Sequence, residues 1–280
     1  MSRVWAPCLD WKSQFSALMP YFQGKGGVVH VHAGPNAAVS SFSRALRNRL
    51  ETDEWPLPWS TVQIHSDNSN THYVPGIMWQ IQKSLGLIAE TGSPPVNFSI
   101  GNDNRTKGDV LISNVEIDVS YDRYVRSAQL WENVVRLRVS LESFLKRRRV
   151  ALVLVGTHEW TADQVKNFAD MLWNGALEIL INRGLLVIDI FDHERTVEPS
   201  NGWPPDPHCI LNLPEYYEGQ SRVDAFNDLA SLAMSWGWHQ TSSEAEIFAG
   251  AILDASSDIR DVYAMLARTR GRRLGPGANA

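Results

Sequence analysis

This sequence of 280 residues has few cysteines, no long apolar run and no excess of basic residues. Two cysteines, Cys8 and Cys209, do not make a disulfide framework or a cysteine-rich metal site, so a reducing cytoplasm is the expected location. No stretch approaches the ~18 uninterrupted apolar residues of a membrane span, and the first residues lack the apolar core of a signal peptide. The net charge of −5 gives no electrostatic reason to expect nucleic-acid binding. Neither a membrane nor a nucleic acid is therefore an expected partner.

The rest of the composition is that of an ordinary globular protein, with 44% hydrophobic and 20% charged residues. This length allows one large domain or two small ones. The sequence contains no H-E-x-x-H, no G-x-S-x-G and no paired C-x-x-C motif. The motifs therefore predict no metal centre and favour no other class of hydrolase.

The segment 28–50 has the order strand, small-residue turn, helix. A β-branched run at 28–32 is followed by a turn at 33–41, and apolar residues recur at helical spacing over 42–50. This is the context in which the motif G-x-x-x-x-G-K-[ST] holds phosphates. Its histidines, His30 and His32, alternate with valines, which favours burial of at least one ring over metal ligation.

The turn keeps only part of that phosphate-binding motif. Gly34 takes the position of the first glycine and Ser41 that of the last hydroxyl, but Val39 replaces the second glycine and Ser40 replaces the lysine. The lysine normally meets the β- and γ-phosphates, and phosphoryl transfer depends on such charge neutralisation. A β-branched residue also restricts the backbone where a close approach is needed. We expect weak nucleotide binding or none, and no useful hydrolysis; on spacing alone, an ordinary β–α turn remains open.

Strands and helices alternate along most of the chain, which predicts a three-layer α/β fold with a mainly parallel sheet. The apolar runs 150–155 and 185–192 are typical of strands covered on both faces. Further strands are predicted at 61–65, 110–112 and 115–119, and helices at 9–22, 74–87, 121–149 and 162–180.

The C-terminal part has a different character. A proline-rich stretch at 193–214 indicates a boundary, and the helices predicted beyond it, at about 221–235, 241–254 and 257–269, form a small all-α subdomain. The predicted division is an α/β domain over 1–205, a helical lid over 206–270 and a disordered tail over 271–280.

This organisation resembles the STAND branch of the AAA-type P-loop ATPases, and more specifically the inactivated STAND-like modules of bacterial conflict and antiphage systems. The resemblance covers residues ~10–269 and is carried by Val28–Ser41 in the place of the phosphate loop and by Ser256-Ser257-Asp258-Ile259-Arg260 at the start of a lid helix. It implies a P-loop NTPase-like fold. For a nucleotide, ATP or ADP with Mg²⁺, it implies contacts from Gly34, Pro35, Asn36, Ser40, Ser41 and the phosphate-sensing Arg260.

The resemblance leaves two placements of the acidic residues open. In one, the strand before Gly156 leads to Glu159 as the base-type glutamate, although Gly156 stands where a metal-associated aspartate is expected. In the other, Leu185–Asp189 is that strand and Asp189 is the metal-associated carboxylate. If the protein is active, Glu159 and Asp189 are thus its candidate catalytic residues; an acid at a strand end is the alternative for Asp189.

The function that this resemblance implies is a catalytically degenerate pseudo-ATPase. Such a protein serves as a sensor or scaffold for an effector, or binds an adaptor on a separate chain or another copy of itself. The candidate contacts are tryptophans near 55–59, Trp203, Trp236 and Trp238, for which ordinary burial is the alternative. Two rival hypotheses remain: a divergent but active ATP-binding switch, and a DNA-associated accessory ATPase of a mobile element.

Overall fold

A computed structural model describes residues 11–52, 55–66, 74–87, 112–191 and 203–274. Its strands form a five-stranded sheet of order β2-β3-β4-β1-β5, in which every pairing is parallel. In chain order the strands are β1 (Gly27–His32), β2 (Trp59–His65), β3 (Arg149–Val155), β4 (Leu185–Phe191) and β5 (Cys209–Asn212). Strand β1 is therefore an interior strand, between β4 and β5.

Helices cover both faces of this sheet, as expected for parallel strands made of apolar runs. They are α1 (Lys12–Phe22), α2 (Val39–Leu50), α3 (Val74–Ser84), α4 (Ile112–Leu145), α5 (Ala162–Asn167), α6 (Glu178–Ile181), α7 (Gly219–Ser235), α8 (Ser242–Ala255) and α9 (Ile259–Leu274). A π-helical segment, Phe168–Leu177, joins α5 to α6.

On one face, α1, α2 and the C-terminal helices share a single core with the sheet. Trp11 is fully buried there; its ring stacks on Tyr263 of α9 with the centroids 5.1 Å apart and meets Phe42 of α2 edge-on at 5.4 Å. The C-terminal helices are thus packed onto the helix that follows the phosphate-loop-like turn.

The other face is covered by α3, α4 and the α5–α6 region, in a second core. Gly175 of the π-helical segment lies so close to α4 that an added Cβ would come within 2.9 Å of Val134 Cγ1. The two cores and the sheet between them make three layers, and the predicted α/β fold with a parallel sheet and a helical C-terminal region is confirmed.

The short strand β5 forms one edge of the sheet. The Leu213 N–H donates inward to the His32 carbonyl at 2.9 Å, so the Asn212 carbonyl on the opposite side of the same peptide points outward. The side chain of Gln14 in α1 donates to that carbonyl at 2.9 Å. Helix α1 therefore partly covers this edge.

Predictions about two segments are corrected, and a third segment lies partly outside the described residues. Residues 115–119 are not a strand, because α4 begins at Ile112 and continues through them; a helix once nucleated adds residues cheaply, which overrides the local β-branched preference. Residues 110–111 lie outside the described residues. Helix α9 reaches Leu274, so it enters the predicted tail, whose remaining residues, 275–280, are also outside the described ranges.

The division between the two predicted domains stays a prediction. Strand β5 falls inside the range 206–270 assigned to the lid, yet it pairs with β1 in the sheet. The sheet therefore continues past residue 205, and α7 is the first helix of the C-terminal group.

Candidate functional site

The turn after β1 is closed largely by its own backbone hydrogen bonds. The Ala37 N–H donates to the Gly34 carbonyl at 3.1 Å, and the Val39 N–H donates to the Ala37 carbonyl at 3.0 Å. Pro35, at the second position of the first turn, has its φ fixed and carries no N–H. A phosphate-binding loop instead directs its N–H groups towards the anion. Two of the donors that a phosphate would need are thus bonded within the loop.

Asn36 at the tip of the turn bonds to the C-terminal region with both its backbone and its side chain. Its N–H donates to Glu215 Oε2 at 3.2 Å, and its side-chain amide donates to the hydroxyl of Tyr216. Its carbonyl accepts from the Arg260 N–H at 3.0 Å. The Arg260 guanidinium donates to the Pro35 carbonyl at 3.0 Å and to Asn36 Oδ1 at 3.5 Å. The candidate phosphate-sensing arginine therefore binds the loop itself.

Gly34 provides the space that the Glu215 carboxylate occupies. A Cβ added at Gly34 would lie 2.0 Å from Glu215 Oε1, closer than any side chain can stand. The glycine that matches the phosphate motif thus leaves room for a carboxylate of the same chain, which would have to move if a side chain were added here. A negative charge at this position disfavours the approach of a phosphate.

Helix α2 begins at Val39, immediately after this turn, and its N-cap residue Ala38 makes no side-chain cap. Ser40 is exposed and Ser41 half-buried in its first turn, the positions that the lysine and the last hydroxyl of the motif would take. A serine hydroxyl carries no charge, so Ser40 cannot neutralise a phosphate as the lysine does. The structure therefore brings Gly34, Pro35, Asn36 and Arg260 together and keeps Ser40 and Ser41 beside them.

An open cleft of about 270 Å³ adjoins the turn at the carboxyl ends of β1 to β4, the usual place for ligands in open parallel sheets. Its polar lining is His65, Ser66, His158 and Glu159. The Ser66 hydroxyl donates to Glu159 Oε2. Gly156 makes this contact feasible, since it adopts φ +81° and an added Cβ would lie 2.4 Å from Ser66 Oγ.

Asp189 does not line that cleft. Its carboxyl is buried and accepts a 2.7 Å hydrogen bond from Thr157 Oγ1. Burial raises the pKa of Asp189 to about 7, and the hydrogen bond from Thr157 opposes that rise. A buried carboxyl that does not face the cleft is not positioned to hold a solvated Mg²⁺ there. Of the two candidate catalytic residues, only Glu159 faces the cleft.

Sequence reasoning missed Glu215, Tyr216, Ser66 and Thr157. Glu215 contacts Asn36 across 179 positions of the chain, and nothing in its local sequence indicates that contact. Thr157 could have been suspected as a hydroxyl next to a buried strand end. Trp203, a candidate partner contact, is fully buried against Phe168 and Trp173, which the apolar surface of a tryptophan explains.

The described ranges contain neither a candidate metal site nor a candidate membrane span. Within them, no group of three or more histidine, cysteine, aspartate or glutamate side chains is arranged to hold a metal ion. Within the same ranges, no helix combines the length and the apolar character needed to cross a bilayer.

No protein-family model and no curated protein matches the chain. Among solved structures, it is similar to the Walker-type ATPase paby2304 of Pyrococcus abyssi, with 9% identity, a TM-score of 0.42 and coverage of 86% of this chain and 63% of that one. It is also similar to the Aeropyrum pernix ORC2 protein in its ADP form, with 12% identity, a TM-score of 0.42 and coverage of 92% and 60%. It is similar as well to the Aeropyrum pernix ORC1 protein in complex with DNA, with 14% identity, a TM-score of 0.39 and coverage of 92% of this chain and 64% of that one.

The chain thus spans only about three fifths of the length of these proteins. The α/β fold is established by the parallel strand order and the covering helices of this chain itself.

Proposed function

We propose that this protein is a P-loop-type α/β module that does not hydrolyse nucleotides and acts by binding other proteins. The observation that carries the proposal is the Glu215 carboxylate, which accepts the Asn36 N–H inside the turn where a phosphate would bind. The replacement of the motif's lysine by Ser40 supports it as well, because the remaining hydroxyl supplies no positive charge.

The position of Arg260 adds to this support. A phosphate-sensing arginine must aim its guanidinium at an open anion site, but here it donates to the carbonyl of Pro35. A ligand would have to displace both this contact and the Glu215 carboxylate. Each displacement weakens the apparent affinity, because the cost of rearrangement is subtracted from the binding free energy.

The biological setting within this proposal comes from the STAND-like resemblance. The protein is a sensor or scaffold for an effector or adaptor encoded on a separate chain, in bacterial defence. Co-expression with the products of adjacent genes tests this: stable co-purification with an effector is expected. A gene with no effector neighbour, or neighbours whose products do not bind, would contradict the setting.

The absence of catalysis is tested by phosphate release from MgATP, with thermal unfolding in the presence of millimolar MgATP or MgADP. We expect no release above buffer and no shift in melting temperature, either in the wild type or in Ser41→Arg. By contrast, a site filled at a hundred times its dissociation constant would add about 2.7 kcal/mol of stability. Hydrolysis, or a shift that Ser41→Arg abolishes, would overturn the proposal.

The second candidate is an active ATP-binding switch, favoured by one observation: Glu159 faces the cleft beside the turn and is held by Ser66. It predicts MgATP hydrolysis that Glu159→Gln removes while nucleotide binding remains. Ser40, Ser41 and Arg260 would then supply the contacts to phosphate.

The third candidate, a DNA-associated accessory ATPase, is disfavoured by the net charge of −5. Titration of the protein with duplex DNA at two salt concentrations tests it, since binding through phosphates weakens steeply as salt rises. An absence of salt-dependent binding removes this candidate.

A further inference from the structure

We propose that the Glu215 carboxylate is a built-in substitute for the phosphate anion, and that it keeps the turn 34–41 closed against the C-terminal helices without any ligand. This inference deepens the proposed function, on which it rests for the identity of the turn as a phosphate-loop relative. Beyond the proposed function, it identifies the group that occupies the turn in place of a nucleotide phosphate.

The Glu215 carboxylate is positioned by backbone hydrogen bonds between residues 215–217 and the start of α9. Tyr216 forms an isolated antiparallel bridge with Asp258, next to the first residue of α9. The Ile259 N–H donates to the Glu215 carbonyl at 2.9 Å, and the Tyr217 N–H donates to the Ser257 carbonyl at 2.8 Å. These bonds hold the backbone of Glu215 beside the start of α9. Its side chain extends from there to the turn 34–41, where it accepts the Asn36 N–H.

The turn is shaped to receive it. Gly34 leaves the space in which Glu215 Oε1 lies, and the Asn36 N–H donates to Glu215 Oε2 at 3.2 Å. A charged acceptor makes this bond stronger than a neutral one. Two anions cannot share the same space, so a phosphate can enter only after the carboxylate leaves.

Tethering makes that exchange difficult. The carboxylate belongs to the same chain and is already in place, so its effective concentration at the turn is far above that of a free anion. Arg260 adds to the closure, because its backbone N–H and its guanidinium both donate to the turn. The turn and the start of α9 therefore form one closed unit, here named the Asn36 latch (residues 34–36, 215–217 and 257–260).

The experiment measures binding of inorganic tripolyphosphate, which carries the anionic chemistry without a base or ribose. The wild type, Glu215→Ala, Glu215→Gln and the matched control Glu178→Ala are titrated, and hydrogen exchange of the Asn36 amide is followed with and without the ligand. Glu178 is an exposed glutamate of α6, remote in sequence from the latch. Circular dichroism verifies that each variant is folded.

We expect tripolyphosphate to protect the Asn36 amide in Glu215→Ala but not in the wild type or in Glu178→Ala, with affinity raised about tenfold or more by the loss of the carboxylate. Glu215→Gln, which keeps the shape but loses the charge, should lie between them. Equal behaviour of the wild type and Glu215→Ala, whether both bind or neither does, would overturn the inference.

The outcome is distinguishable from failure of the proposed function. Hydrolysis of MgATP by the wild type would contradict the non-hydrolysing module, whatever Glu215 does. The effect of Glu215 on anion binding is measured with tripolyphosphate and does not involve hydrolysis. The inference about Glu215 and the proposal of a non-hydrolysing module can therefore fail independently.

Discussion

His30 of β1 and Asp189 of β4 are partners in register on adjacent parallel strands, and both are buried. Burial lowers the pKa of His30 to about 4, with a further lowering by His32 and a rise due to Asp206. Burial raises the pKa of Asp189 to about 7. At neutral pH the histidine is therefore neutral and the aspartate partly protonated, so this pair does not behave as a salt bridge.

Their contributions to stability depend on pH with opposite signs. Asp189 in the folded protein holds its proton more tightly than an exposed aspartate, so its contribution is full below about pH 4 and is lost as the pH rises to about 7. His30 resists protonation when folded, so its contribution is full above its ordinary pKa and is lost as the pH falls to about 4. Between these limits the two effects partly cancel, which predicts a flatter profile for the wild type than for either single variant.

The first prediction concerns Asp189→Asn. The asparagine does not titrate, so the free energy of unfolding of the variant should rise relative to that of the wild type from about pH 4 to about pH 7 and then stay constant. The rise of the Asp189 pKa from 3.8 to about 7 corresponds to a change on the order of 4 kcal/mol. Urea unfolding of both proteins across this range measures it. A difference that does not change with pH would show that Asp189 titrates normally.

The second prediction concerns the hydroxyl that holds Asp189. Thr157→Val keeps the shape of the side chain but removes the donor to Asp189 Oδ1, so the pKa of Asp189 should rise further and stability should fall by about 1–3 kcal/mol. Chemical unfolding at neutral pH measures the loss. Thr269→Val is the control, since its hydroxyl donates to the Met265 carbonyl in a half-buried position of α9. Equal losses in the two variants would contradict a special role for Thr157.

The third prediction compares two glycines. In Gly34→Ala the new methyl would collide with the Glu215 carboxylate, so the Asn36–Glu215 bond should break and stability should fall by about 1–3 kcal/mol. Gly250→Ala in α8 meets its nearest neighbour at an ordinary 3.8 Å and should gain up to about 1 kcal/mol from helix propensity. Thermal unfolding of both variants tests the contrast, and a neutral Gly34→Ala would argue against the Asn36 latch.

The fourth prediction concerns the core that joins α9 to α2. Trp11→Ala removes a fully buried ring that contacts both Phe42 and Tyr263, so we expect a loss of about 3–5 kcal/mol. Trp131→Ala removes a ring that is 48% exposed and should cost much less. Unfolding followed by circular dichroism and by fluorescence should give coincident transitions in the wild type, because the helical region shares its core with the sheet. Separate transitions would contradict this.

The layers of the fold could be predicted because each buried strand carries a local signal. The run Val150–Val155 is apolar throughout, and the structure buries it on both faces as β3. The start of α4 could not be predicted in this way. Residues 115–119 carry β-branched side chains, and only the continuity of a long helix overrides their preference.

The candidate site could be predicted only in part, because only some of its features have a signal in the local sequence. The replacement of the motif's lysine by Ser40 can be seen in the sequence alone, and it predicts that hydrolysis is absent. What fills the turn depends on a contact between Asn36 and Glu215, which lie on opposite sides of the proline-rich stretch 193–214 in sequence. No periodicity or motif encodes such a contact, because it exists only after β5 and α9 have assembled on the sheet.

The outer edge at β5 determines how readily a further strand could extend the sheet on this side. Edge strands that are long and uncovered invite a foreign strand to extend the sheet, whereas short or covered ones resist it. β5 has only four residues, and Gln14 engages the outward carbonyl of Asn212. Strand addition at this edge, whether by a partner or by a misfolded copy, is thereby discouraged. Under the proposed function, a partner is therefore not expected to bind by adding a strand to β5.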